Sequence, residues 1–277
     1  MKKILLIVLF FILSSNSFAA DKETAYDRVM RTNTLRCGYV VFPPWMDKDP
    51  NTGKLSGIGY ELTEALGKRM NLKIDWVEET NFATIGAALQ NNRFDALCFT
   101  LYRWTPAARA VDYSRELMCS PTYIYVRKDD KRFDKDLTAL NNSKISVGSI
   151  DGEGSDNIAA DDFPKMSVVS MPQSTDLSQL MLGLIDKKYD VVFANPIMVK
   201  NYVDKNPDKI KNISLKPLRY YCQGFAFKKG EQDLINTLNI GFEEMLNFGI
   251  IDKILDKYEY TPNTFLRIKQ PWADKTK

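Results

Sequence analysis

Histidine is absent from all 277 residues of the chain, and its absence limits the available chemistry. Without an imidazole there can be no histidine-based catalytic triad, no histidine general base and no histidine metal ligand. The four cysteines include no C-x-x-C pair, which argues against a zinc site. The sequence therefore predicts no metal and no other cofactor.

Long apolar runs are also missing, except at the amino terminus, where residues 4–13 follow Lys2 and Lys3. That run is too short to cross the hydrocarbon core of a bilayer, which requires about 20 residues. A charged start, a short apolar centre and small residues up to Ala20 are typical of a secretory signal peptide. We predict that residues 1–19 are this peptide, cut after Ala19, and that the mature protein is periplasmic.

A strong net charge is missing as well. The formal charge is +3, and removal of residues 1–19 takes away two lysines and no acid, which leaves +1. A nucleic-acid partner would require clustered basic surface. We therefore expect no nucleic-acid partner.

Residues 57–114 carry the clearest structural pattern. Leu62, Leu66 and Met70 recur at helical spacing, and residues 72–77 alternate between apolar and polar side chains as in a strand. A second helix and a second strand follow, and an aromatic, basic loop ends the stretch. Two parallel strands joined by a crossover helix bring such a loop to the carboxyl edge of a sheet, where open α/β sheets bind ligands.

A second unit of the same kind follows after a charged segment at 127–136. Its predicted elements are strands at 144–148, 167–169 and 190–194 and a helix at 177–185. Residues 220–227 are predicted to form a further strand. The spacing of apolar residues from Leu234 to Leu246 indicates an amphipathic helix that covers a sheet.

Five motifs occur along the chain in a characteristic order. They are G-I-G-Y-E-L at 57–62, L-Q-N-N-R-F-D at 89–95, Thr105-Pro106 with Asp112-Tyr113-Ser114, Val147-Gly148 with Gly152, and G-F-A-F-K-K-G at 224–230. In these motifs the chain resembles the periplasmic solute-binding proteins of the polar amino acid uptake family (extracellular solute-binding protein family 3), which deliver ligands to ABC importers.

The resemblance implies an α/β, two-lobed periplasmic binding protein fold (type II). Each lobe would be an open sheet flanked by helices, and two hinge strands would join the lobes around a ligand cleft. Lobe 1 would comprise residues 20–122 and 224–277, and lobe 2 residues 123–223. The implied partner is an inner-membrane ABC permease, and we expect the protein to be a monomer.

An oxidising compartment would permit up to two disulfides among the four cysteines. Cys37 and Cys98 lie inside strand-like runs, which favours small buried residues without a bond. Cys119 and Cys222 flank the two places where the chain changes lobes. We therefore predict Cys119–Cys222 as the disulfide.

The resemblance also implies the ligand contacts. Its aromatic positions fall on Phe42 and Phe82 and its hydroxyl positions on Thr100 and Tyr102, and further aromatic side chains crowd the same cleft. The predicted ligand-binding residues are Phe42, Trp45, Phe82, Phe99, Thr100, Tyr102, Arg103, Arg109, Gly152, Glu153 and Asn195.

Three positions depart from the family pattern. The carboxylate-binding arginine is replaced by Ala107, which leaves Arg103 or, alternatively, Arg109 as the cation. The aspartate that binds the amino group is replaced by Asn195, which cannot neutralise a buried ammonium. A hydroxyl residue is replaced by Glu153, which would hold an amine if it faces the cleft.

These departures favour a small polar or amine-bearing solute over a standard L-amino acid bound in the usual pose. Stacking on aromatic rings would supply much of the affinity. Two alternatives remain at this stage. One is a periplasmic enzyme similar to cyclohexadienyl dehydratase, with Glu153 or Asp151 as its acid. The other is a free-standing accessory or sensor protein. We expect no enzymatic activity, since no second group accompanies these acids at a recognisable spacing.

Overall fold

The computed structural model describes residues 23–268 except 135, 152, 173, 174, 176, 215, 261 and 263. The predicted signal peptide and Gly152 lie outside the described residues. The strands are β1 (Thr34–Tyr39), β2 (Asp47–Lys48), β3 (Leu55–Ser56), β4 (Lys73–Glu79), β5 (Ala96–Tyr102), β6 (Val111–Tyr113), β7 (Met118–Arg127), β8 (Ser146–Ile150), β9 (Ser167–Met171), β10 (Val191–Ala194), β11 (Ile210–Asn212), β12 (Arg219–Lys228) and β13 (Leu266–Arg267).

The α-helices are α1 (Ala25–Thr32), α2 (Ile58–Met70), α3 (Ile85–Gln90), α4 (Thr105–Ala108), α5 (Ser155–Asp162), α6 (Leu177–Ile185), α7 (Pro196–Lys205), α8 (Gln232–Asn247) and α9 (Ile250–Asp256), and a 3₁₀ helix spans Leu137–Leu140. No helix among the described residues has both the length and the apolar character of a membrane span.

The main sheet has two halves, each built of parallel strands, and a pair of antiparallel strands joins them. The strand order along the sheet is β4-β1-β5-β12-β7-β10-β8-β9. β1 is parallel to β4 and β5, and β8 is parallel to β9 and β10. Between these halves β12 and β7 run antiparallel to each other and to their outer neighbours. The long strands β7 and β12 therefore connect the two halves.

The buried side chains form separate cores on the two sides of this connection. One core draws mainly on residues 29–118 and 225–265. The buried residues of two further clusters lie between 124 and 210, on opposite faces of the second half-sheet. The two-lobed α/β fold predicted from the sequence is confirmed. The change of lobe falls within β7 and β12, while the residue-level lobe boundaries stay a prediction.

The start of α2 fixes the aromatic loop that follows β1. Gly57 has φ +106°, and a Cβ at this residue would lie 2.8 Å from the Pro44 carbonyl oxygen, so this close approach requires glycine. The amides of Ile58 and Gly59 donate to the carbonyls of Pro44 and Trp45 at 3.1 and 2.7 Å. These bonds satisfy helix-terminal donors and hold the loop at the carboxyl end of β1.

Disulfides join Cys119 to Cys222 and Cys37 to Cys98. Cys119 and Cys222 face each other across the β7–β12 pair. The preference for Cys37 and Cys98 as unbonded residues does not hold, because β1 and β5 are neighbouring parallel strands and bring the two Cα atoms within 5.3 Å. That distance suits a disulfide, and strand adjacency of this kind cannot be read from the local sequence.

A thiol count tests this pairing. We expect the mature protein, denatured without reductant, to show no reactive thiol, and to show four after reduction. Two thiols before reduction would restore the sequence-based preference for Cys119–Cys222 alone. Mass mapping of the proteolysed, unreduced protein identifies which cysteines are joined.

Candidate functional site

A cavity of about 540 Å³ lies where the two lobes meet. Its lining comes from the loop after β1, from α3, from β5 and the residues after it, from the loop before α5, and from one position each in α7 and β12. The lining residues are Phe42, Trp45, Phe82, Ala83, Ile85, Gly86, Ala87, Gln90, Phe99, Thr100, Leu101, Tyr102, Trp104, Ala107, Ala110, Val111, Glu153, Met198 and Gln223.

Four aromatic rings form one continuous wall of the cavity. Phe42 lies 5.9 Å from Trp45 and 5.5 Å from Phe82 between ring centroids, and Phe82 lies 6.0 Å from Phe99. Trp45 and Phe99 are buried, whereas Phe42 and Phe82 are only partly buried. The buried pair therefore supports the two rings that have free surface for a ligand.

Gln223 anchors this wall to both hinge strands. The Trp45 indole Nε1 donates to Gln223 Oε1 at 3.0 Å, and Gln223 Nε2 donates to Ser120 Oγ at 2.6 Å. Gln223 belongs to β12 and Ser120 to β7, and both side chains are fully buried. The position of the first aromatic loop is thus tied to the strands that connect the lobes.

Two hydroxyl residues of β5 also line the cavity. The Thr100 Oγ1 atom is buried and has no hydrogen-bond partner among the described residues. A buried polar atom left unpaired is costly, so this hydroxyl is a natural ligand contact. The ring of Tyr102 stacks on Tyr221 of β12, with centroids 4.8 Å apart and planes at 18°. Burial and the neighbouring Glu153 raise the pKa of Tyr102.

Glu153 supplies the charge of the cavity. Its Oε2 atom accepts from the hydroxyl and the amide of Ser155 at 2.7 and 3.3 Å, at the first residue of α5. Burial raises the pKa of Glu153 to about 7, although both hydrogen bonds from Ser155 oppose the shift. Among the described residues it is the only charged side chain that lines the cavity.

Neither predicted arginine reaches the cavity. Backbone geometry explains why Arg103 is absent from the cavity lining. Side chains alternate along an extended segment, and its neighbours Tyr102 and Trp104 both line the cavity. The Arg103 guanidinium pairs with Glu116, and burial lowers its pKa. Arg109 is exposed and lies outside the lining. In this structure both predicted arginines lie outside the cavity lining, and a ligand contact by either one stays a prediction.

Asn195 is likewise outside the cavity lining. Its Oδ1 atom accepts from the Ile197 amide at 2.8 Å, which caps the start of α7, and its Nδ2 atom donates to the Thr264 carbonyl at 3.4 Å. Both ends of the amide are therefore engaged, and the side chain is 1% exposed. Asn195 therefore supports the start of α7, and its contact with a ligand stays a prediction.

Of the predicted contacts, the structure brings seven together around the cavity: Phe42, Trp45, Phe82, Phe99, Thr100, Tyr102 and Glu153. Gln223 and Met198 are among the lining residues that the sequence did not predict as contacts. The position of Gln223 beside the predicted hinge cysteine was a usable signal. No sequence signal indicated Met198, because the helix that contains it, α7, was not predicted.

A family model described as bacterial extracellular solute-binding proteins, family 3, matches residues 35–261. The chain belongs to this family. It is a solute-binding protein, and its relatives include the L-cystine-binding protein TcyA of Bacillus subtilis, 23% identical with 93% of this chain and 97% of the relative covered. A probable histidine-binding protein of Campylobacter jejuni is 25% identical with 91% and 94% covered.

The same architecture occurs in solved structures. An ancestral amino acid-binding protein, described as a precursor of cyclohexadienyl dehydratase, superposes with a TM-score of 0.72 at 24% identity, with 85% of this chain and 99% of that chain covered. At that identity the likeness shows the fold alone. The chemistry of this family member has therefore to be argued from its own cavity.

The raised pKa of Glu153 predicts a pH-dependent stability difference between the wild type and Glu153→Gln. The folded protein binds the proton of Glu153 more tightly than the unfolded chain does, since its pKa rises from 4.5 to about 7. The stability that this group contributes is therefore present below pH 4.5 and is lost as the pH rises through about 7. Without ligand, the variant should have the higher Tm at pH 8 and an equal Tm near pH 4.5.

Asp129→Asn provides the matched control, because it removes one carboxylate from an exposed position. We expect its Tm difference from the wild type to stay small at both pH values. A Tm difference between Glu153→Gln and the wild type that is the same at both pH values would show that Glu153 is solvated and does not face an apolar cavity.

Proposed function

We propose that this protein captures a small amine-bearing solute between its two lobes and delivers it, as a periplasmic monomer, to an inner-membrane ABC permease. The observation that carries the proposal is the single carboxylate, Glu153, in a cavity whose other described lining residues are uncharged and mostly aromatic or aliphatic. An ammonium group is the natural partner of such a carboxylate, because each charge would otherwise be buried unpaired. Export and cleavage after Ala19 are part of this proposal.

Aromatic faces favour the same ligand. The partly buried rings of Phe42 and Phe82 and the indole of Trp104 line the cavity that Glu153 enters. Cations are attracted to such faces, by about 0.5–2 kcal/mol per contact. The unpaired hydroxyl of Thr100 can accept one further hydrogen bond from the ligand.

Contact between the lobes supports capture by closure. Gly154, next to Glu153 in lobe 2, packs against Trp104 of lobe 1, and a Cβ at Gly154 would lie 3.3 Å from the indole ring. A ligand that binds Glu153 on one side and the aromatic wall on the other would stabilise this closed arrangement.

Catalysis is the second candidate, because a carboxyl with a pKa of about 7 suits a general acid. Two features count against it. The described lining holds no second carboxylate and no amine or guanidinium base. The ionised form of Glu153 would also repel cyclohexadienyl acids, which are themselves anions. We therefore propose binding without turnover, and conversion of such an acid that is lost in Glu153→Gln would contradict this.

Titration calorimetry with small primary amines tests the proposal. We expect affinity to rise by up to tenfold per pH unit as Glu153 ionises, and to level off above its pKa of about 7. The groups near Glu153 that bear on this titration are Asp156, Tyr102 and Tyr221. Glu153→Gln should weaken binding by about 30-fold or more and remove the pH dependence.

Asp151→Asn is the matched control in the same loop. Asp151 is exposed, lies outside the cavity lining and accepts a hydrogen bond from Ser170, so its loss changes the net charge equally without a ligand contact. We expect amine affinity to change by less than about threefold in this variant. Equal losses in the two variants would mean that Glu153 acts only through long-range charge.

A further inference from the structure

We infer that the cavity binds no carboxylate group and that the solute is an amine without one, of the kind that remains when an amino acid loses its carboxyl group. This inference rests on the proposed function and narrows its ligand class. Three observations carry it: the missing cation in lobe 1, the occupied helix terminus in lobe 2, and the neutral character of the remaining polar groups.

In lobe 1, no guanidinium or ammonium group among the described residues lines the cavity. The wall beyond Trp104 is formed by Ala107 and Ala110 instead. Arg103 lies outside the cavity lining, and its guanidinium is paired with Glu116. A ligand carboxylate would therefore lose its hydration without gaining a counter-charge, which is strongly unfavourable.

In lobe 2, the first amide of the helix terminus that would suit an anion is already engaged by the protein itself. The amide donors at the start of a helix attract anions, and α5 begins at Ser155. Both the amide and the hydroxyl of Ser155 donate to the carboxylate of Glu153. A ligand carboxylate at this terminus would have to displace Glu153 and would be repelled by it.

The remaining polar groups around the cavity are neutral, and several already form hydrogen bonds within the protein. Trp45 Nε1 and the Gln223 amide bond to each other and onward to Ser120. The Thr100 hydroxyl lacks a partner among the described residues and can accept a hydrogen bond from the ligand or donate one to it, but it supplies no counter-charge to a carboxylate. The site is therefore complementary to a cationic head and an apolar or aromatic body.

Matched pairs of probes test the inference: phenethylamine with phenylalanine, tyramine with tyrosine, histamine with histidine, and agmatine with arginine. Within each pair the ligands differ only in the carboxylate. By calorimetry at pH 8, we expect at least one amine to bind about tenfold or more tighter than its amino acid, which corresponds to about 1.4 kcal/mol.

The outcomes separate the two proposals. Amino acids that bind as tightly as their amines, with affinity lost in Glu153→Gln, would overturn this inference and leave amine capture standing. Failure of every probe to bind at millimolar concentration would overturn both. Binding that is unaffected by Glu153→Gln would overturn the proposed function and, with it, the assignment of the ligand class.

A gain-of-function variant tests the missing cation directly. Ala107→Arg adds a guanidinium to a residue that lines the cavity, whereas Ala108→Arg adds it to the exposed neighbouring residue outside the lining. We expect the preference for the amine to fall at least about tenfold in Ala107→Arg and to stay within about twofold in Ala108→Arg. Far-ultraviolet circular dichroism and retained amine binding establish that each variant is folded, and an unchanged preference in folded Ala107→Arg would overturn the inference.

Discussion

The hydrogen-bonded contact from Trp45 through Gln223 to Ser120 is the constraint on which the site depends. A buried amide must have both its donor and its acceptor satisfied, and here one amide joins the aromatic loop of lobe 1 to both strands that link the lobes. Phe42 packs on Trp45, and Phe82 packs on Phe42. Any change in the pairing of β7 and β12 would therefore be transmitted to the ligand-facing rings through direct contacts.

Lobe 2 contributes the charge to this apolar wall. Glu153 is held at the start of α5 by Ser155, whose hydroxyl also lies 3.4 Å from the carbonyl of Phe193 at the end of β10. The carboxylate is thereby placed by hydrogen bonds within its own lobe, while its pKa is set by burial in the cavity. In the proposed function, recognition would combine an aromatic surface from one lobe with the carboxylate of Glu153 from the other.

Local patterns in the sequence were enough for most of the fold but for only part of the site. The spacing of apolar residues located α2 and placed α6 at Leu177–Ile185 as observed, because helical periodicity is a property of neighbouring residues. The Cys37–Cys98 disulfide, the role of Gln223 and the direction of Arg103 depend on which strands become neighbours and which face they present. Those features arise from the pairing of strands that are distant in sequence, and the spacing of residues along the chain does not reveal which strands pair.

The departures from the family pattern form one consistent change in charge. By resemblance, the family places an acid at the end of β10, where this chain has Asn195, whose amide caps α7. The acid of this chain is Glu153, which follows β8, the parallel neighbour of β10, so the carboxylate remains at the same edge of the lobe 2 sheet. Because Glu153 also occupies the helix terminus that suits an anion, and Ala107 removes the opposing cation, an amine can be held at this edge while a carboxylate finds no partner. If the proposed ligand class is right, a shift of one charge between adjacent loops changes the ligand class while the fold stays the same.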